Sequence, residues 1–172
     1  MANGIIFPTS VYGQLSDLFG TNITAYGTAP NTTGFPAGSG LKLGQFGLLF
    51  DGTIVKLLKA ADSIAANDAV GIDIGNSNDY TVIQLEDTPD TVPCVGANDR
   101  LGAALVADDV AWMTIYGVAT VNVAASITAP VALCSSAVAG QLSAVTPGDS
   151  AQFNIFLLNT TTTAGNYPVV FR

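Results

Sequence analysis

The sequence predicts an all-β protein: a small β-barrel or sandwich of short strands with a long, extended, glycine- and aromatic-rich N-terminal arm. Three observations predict it. Short apolar runs recur along most of the 172-residue chain, divided by Gly, Asn, Asp and Pro, which is the spacing of short strands and turns. Several of those runs alternate apolar with polar residues, the period of a half-buried strand. Residues 1–44 break both patterns, with eight glycines, three prolines and only Asp17 and Lys42 charged. The chain therefore divides into an arm, 1–44, and a β-rich domain, 45–172.

In the arm, Gly13, Gly20 and Gly27 each follow an aromatic (Tyr12, Phe19, Tyr26), and Gly34 precedes Phe35. So much glycine carries an ordering entropy that local contacts do not offset. The arm is therefore expected to lie on a partner, with Tyr12, Phe19, Tyr26 and Phe35 as anchors. A loop-rich flap packed on its own domain is the other reading.

The domain opens on a hairpin. Phe46 to Phe50 and Thr53 to Lys59 flank Asp51-Gly52, a strong short-range hairpin signal. Ile64 to Ala66 leads through Asn67-Asp68 to Val70 to Ile74, and 75–79 is a turn by composition. A single short helix over Ala60 to Ala69 is the alternative there, because alanine favours it. Tyr80 to Leu85 is the next strand, and Glu86 to Pro93 an acidic loop. Further strands are expected at Leu101 to Val106, Ala111 to Tyr116, Val118 to Ala124, Val131 to Cys134 and Gln141 to Val145. Gln152 to Leu158 and Tyr167 to Phe171 form a closing hairpin. Trp112 begins an apolar strand and reads as core.

Composition excludes several functions. Five cations stand against thirteen acids, for a net charge of −8, so there is no electrostatic footprint for nucleic acid or an anionic membrane. Val110 to Cys134 is uncharged, but its regular polar interruptions suit buried sheet better than a membrane helix. No signal peptide is recognisable at the start. The absence of histidine removes the commonest general base and metal ligand. Cys94 and Cys134 lack metal-site spacing; they are open to one disulfide or to two buried free thiols.

The remaining motifs are weak. Asp108-Asp109, Glu86-Asp87 and Asp90 sit in expected loops, where aspartates serve turn chemistry more often than hydrolysis. Asp73, Asn76, Asn78 and Asp79 cluster oxygens, yet an EF-hand frame from Asp73 puts Asn78 at its glycine and Gln84 at its glutamate. In the glycine-rich run from Gly34 to Lys42, Leu41 interrupts the Gly-Lys-Ser/Thr ending that a phosphate loop requires. No serine lies in a nucleophile elbow, and Cys94 has no histidine to activate it. The sequons at Asn22, Asn31 and Asn159 are what a chain rich in Thr and Asn produces by chance. We expect no enzyme, no cofactor and no metal.

One stretch resembles a known family. Leu101-Gly-Ala-Ala-Leu is followed by Ala111-Trp-Met-Thr-Ile-Tyr-Gly-Val-Ala-Thr-Val-Asn-Val, Ile127-Thr-Ala-Pro-Val-Ala-Leu-Cys-Ser-Ser and Ala139-Gly-Gln-Leu. This rhythm is similar to the β-core of tailed-bacteriophage capsid cement, or head decoration, proteins. Asp68-Ala-Val-Gly resembles that family's opening motif, with Asn67 where glycine is usual. The likeness covers Asp51 to Val145 and rests on small apolar residues. It departs in the longer arm and in Pro130, where glycine is expected.

The resemblance implies a non-enzymatic protein made in the host cytoplasm and mounted on the outer surface of the virion capsid. It would cement neighbouring major capsid protein subunits against the pressure of packaged DNA, as a homo-oligomer with a trimer favoured. Another virion part (tail tube, head fibre or baseplate) and a secreted carbohydrate-binding or adhesin module are the alternatives.

Overall fold

A computed structural model describes residues 5–6, 43–49, 51–73, 80–85, 93–145 and 154–172. Among them there are eleven strands and no helix, so the all-β expectation holds. The expected hairpin is present: β2 (Phe46–Leu49) and β3 (Ile54–Ala60) pair antiparallel, with Gly52 at φ 83° in the turn. Ahead of it, β1 (Ile5–Ile6) pairs with β2, Ile6 opposite Leu48. After it come β4 (Ala69–Ile72), β5 (Thr81–Gln84), β6 (Cys94–Ala97), β7 (Val110–Val123), β8 (Val131–Ser135), β9 (Leu142–Ala144), β10 (Ile155–Leu157) and β11 (Gly165–Phe171).

The pairings close a five-strand barrel in the order β3-β5-β4-β6-β7 and back to β3. Closure removes the free edges that an open sheet presents. Leu58, Ala60, Ile64, Val70, Val82, Leu105, Ala111 and Met113 fill the interior. A second cycle of pairings runs β7-β11-β10-β8-β9 and returns to β7 through the parallel pair Val123↔Leu142. Its core is Val121, Val123, Leu133, Leu142, Ile155, Leu157 and Val169, and Ala69, Leu85 and Ala97 of the barrel wall join it.

Strand β7 is common to both. Two strands were expected here, broken at Gly117; instead one runs 14 residues. Gly117 takes a φ of +96°, open to glycine at little cost, and a Cβ there would lie 3.0 Å from the Thr53 Cα. Against β3 the register slips between Ile54 and Val55, a bulge that increases local twist. Thus β7 pairs with β3 up to Tyr116 and with β11 from Gly117 onward.

Two turns of like sequence face each other across an Ile64↔Leu105 bridge. In each, an aspartate carboxylate accepts the N–H three residues earlier, Asp68 from Ala65 and Asp109 from Val106, both at 2.9 Å. Asn67 (φ 65°) and Asp108 (φ 72°) hold the left-handed position, which Asn and Asp tolerate best after glycine. Asn98, fully buried, donates to the carbonyls of Ala65 and Ala103 and so ties the first turn to β6.

The alternative of a helix is not taken, and one expected strand is corrected. Residues 60–69 form no helix, because Ala60 ends β3 and the Asp68 turn follows. Leu101 to Val106 is bent and joins the sheet only at Leu105. Cys94–Ala97, to which no element was assigned, is a strand.

Candidate functional site

Strands β2, β3 and β7 extend past the barrel mouth and carry apolar side chains into solvent. The register sets Leu48 opposite Ile54 and Ile54 opposite Tyr116, and directly opposed residues share a face. Phe46 follows in the same alternation. Phe46 is 56% exposed, Leu48 45%, Tyr116 48% and Val118 50%. Lys56 lies between two rings, its Nζ 5.2 Å from the Phe46 centroid and 5.1 Å from that of Tyr80. Tyr80 in turn packs on Gly44, where a Cβ would collide with its ring.

At Tyr116 this rim runs into a groove of about 650 Å³, floored by Thr53, Gly117, Val118 and Phe171. Asp51 and Arg172 also line it. The Thr53 N–H, 2.9 Å from the Asp51 carboxylate, holds that acid below its ordinary pKa. Arg172 lies over the Phe156 ring at 5.2 Å. The site is an open, largely apolar trough with a few charges, which suits a polypeptide surface better than a reacting small molecule.

The other polar clusters are occupied with the fold. Arg100 donates to the Thr114 hydroxyl at 2.8 Å and to the Val118 carbonyl at 3.0 Å, and so spans the β7 bend. Its Nε is 3.3 Å from Asp99. Burial pushes the Asp99 carboxyl up, and Arg100 and the Thr114 hydroxyl partly offset this. Asp68 also accepts from Gln84, and Asp108 pairs with Lys59 at 2.5 Å. Burial pushes the Cys94 thiol to about 12, so it stays protonated; both cysteines are free of disulfide. Thr161 of the Asn159 sequon is buried, accepting from Ile127 and donating to the Ala124 carbonyl.

Among the described residues no group of three or more acids or cysteines could hold a metal ion. No described helix is long and apolar enough to cross a membrane. The expected anchors Tyr12, Phe19, Tyr26 and Phe35 lie outside the described residues, as do 74–79 of the oxygen cluster and the acidic run 86–90. Trp112 is buried to 1% exposure, as expected for core. Sequence reasoning missed the rim. Its signal was present: Phe46 and Leu48 alternate with the buried Gly47 and Leu49, so β2 is apolar on both faces.

Fold and site together define a small all-β scaffold with an exposed apolar rim. No family model matches the chain, and no curated protein is similar to it.

Proposed function

We propose that this chain is a non-enzymatic structural virion protein that binds the outside of a tailed-phage capsid and cements neighbouring major capsid protein subunits. The observation that carries the reading is the apolar rim of Phe46, Leu48, Tyr116 and Val118 on a closed scaffold. Exposed contiguous apolar surface of this kind marks a protein–protein contact. A net charge of −8 leaves nucleic acid and anionic membranes unsuited as partners. Several copies in a homo-oligomer, with a trimer favoured, would multiply a modest contact through avidity.

Density-gradient fractionation of a producing lysate, with copies counted by quantitative mass spectrometry, tests the reading. Co-sedimentation with DNA-filled heads at copies comparable to the major capsid protein is expected. The double variant Phe46→Ser, Leu48→Ser should stay folded yet leave the heads. A few copies per particle would point to a tail, fibre or baseplate part, and a protein found only free would reject a virion role. The exposed rings of Phe46, Tyr80 and Tyr116 favour a carbohydrate-binding module as the second reading, which a glycan array decides.

A further inference from the structure

The exposed rim does not end at the β7 bend; it runs on across the second cycle of strands. Past Gly117 the register sets Val118 opposite Val170, Val170 opposite Phe156 and Phe156 opposite Ala132. Directly opposed residues share a face, and their strand neighbours Ala119, Val169 and Leu157 point into the core. Val118, Val170, Phe156 and Ala132 therefore form an outer row, with Val118 exposed and the other three half-buried. A sheet face turned to water is ordinarily polar at such positions. The row crosses β7, β11, β10 and β8, three strand spacings or about 14 Å. Tyr116 and Val118 flank Gly117 in one groove, so rim and row make a single apolar ribbon.

The charges on this ribbon select its occupant. Among the described cations, Lys59 pairs with Asp108 and Arg100 with Asp99. Lys56 and Arg172 lie instead over aromatic rings, Lys56 over Phe46 and Tyr80 and Arg172 over Phe156. A guanidinium stacked on a ring keeps its N–H edge open to a carboxylate and loses little freedom in binding one. Asp51, the acid that lines the groove, already accepts the Thr53 N–H. A chain of net charge −8 thus places two cations on its apolar surface. Screening over about 8 Å at physiological salt lets them outweigh the more distant acids.

We propose that the ribbon from Phe46 to Ala132 takes an acidic partner: an apolar polypeptide face with carboxylates set against Lys56 and Arg172. Only the partner's identity as a capsid subunit rests on the virion reading; its chemistry does not. Two copies of this chain joined ribbon to ribbon would set cations against cations, which costs affinity.

Anilinonaphthalene sulfonate, an apolar ring system with one anionic group, probes the ribbon on the purified chain. Its fluorescence should rise with the wild type, and the double variant Lys56→Glu, Arg172→Glu should weaken binding about ten-fold. Val138→Glu, at an exposed apolar residue in the turn after β8, should bind as the wild type does. Equal binding by the wild type and the double variant overturns the proposal. DNA-filled heads from cells that lack this chain test the partner. The wild type and Val138→Glu should bind them, and Arg172→Glu and Phe156→Ser should lose about ten-fold. Should Phe156→Ser lose its sheet by far-UV circular dichroism, Arg172→Glu alone decides. Full binding by folded ribbon variants overturns the proposal and leaves the virion reading intact. Probe binding that needs the two cations, without binding to heads, supports the ribbon and rejects the virion reading. Dimers of the wild type that the double variant abolishes overturn the proposal in favour of a second copy.

Discussion

Strands β2, β3 and β7 carry two apolar surfaces that differ in almost nothing but solvent. At one place Val55, Leu57 and Trp112 are sealed; at the other Phe46, Leu48, Tyr116 and Val118 stand 45–56% exposed. Tyr116 and Trp112 are only four positions apart on the same strand. Residue type therefore does not separate core from exposed rim here. What separates them is the bulge opposite Ile54 and Val55 and the bend at Gly117, which turn the strand out of the barrel.

The sharpest way to break this comparison is to truncate an aromatic on each side. Trp112→Ala should cost about 3–5 kcal/mol, the usual loss for a fully buried large side chain. Tyr116→Ala should stay within about 0.5 kcal/mol. Denaturant melts of the two variants measure the contrast, and equal losses would mean that the rim is not free. Gly117→Val comes next: the new side chain meets Thr53 at a backbone angle unfavourable to it, for a cost of about 2 kcal/mol. Such a variant should weaken β3 and β11 pairing together, seen as faster amide exchange on both sides of the bend.

Two pH effects of opposite sign sharpen it further. Asp99, beside the bend, has a folded pKa raised by burial, so the folded state holds its proton more tightly than the unfolded chain does. The stability this adds is present at pH below the unfolded value and is lost as pH rises through the folded one. Asp99→Asn should remove that decline from a plot of melting temperature against pH. Asp51, exposed at the groove, has a lowered pKa. Its stabilisation is present above the unfolded value and is lost as pH falls through the folded one. Asp51→Asn should flatten the acid side only slightly, the smallest effect of the series, since solvent screens the group.

Much of this architecture was legible because local chemistry is strong where the chain turns. Asp51-Gly52 announced the first hairpin, and Tyr80 to Leu85 and Tyr167 to Phe171 carried strand composition into β5 and β11. Strand β6 was not legible. Cys94-Val-Gly-Ala has no alternation, and Gly96 is there because a Cβ would meet the Thr114 carbonyl at 2.4 Å, a constraint set by a strand distant in sequence. Leu101 to Val106 erred the other way, its apolar run being used for one bridge and a bend. The rim was missed although β2 is apolar on both faces, because which face is exposed depends on what lies opposite Phe46 and Leu48, far along the chain.

By itself the sequence determined the class, through period-two runs punctuated by turn residues, and it determined the poverty of catalytic groups, through a chain with no histidine and few charges. Tertiary structure alone decided that the runs on either side of Gly117 are one strand serving two closed cycles of pairing. It alone decided which apolar residues meet water. The physical reason is range: turn and strand preferences act over a few neighbouring residues, whereas barrel closure and burial are fixed by pairings such as Leu57 with Trp112, far apart along the chain.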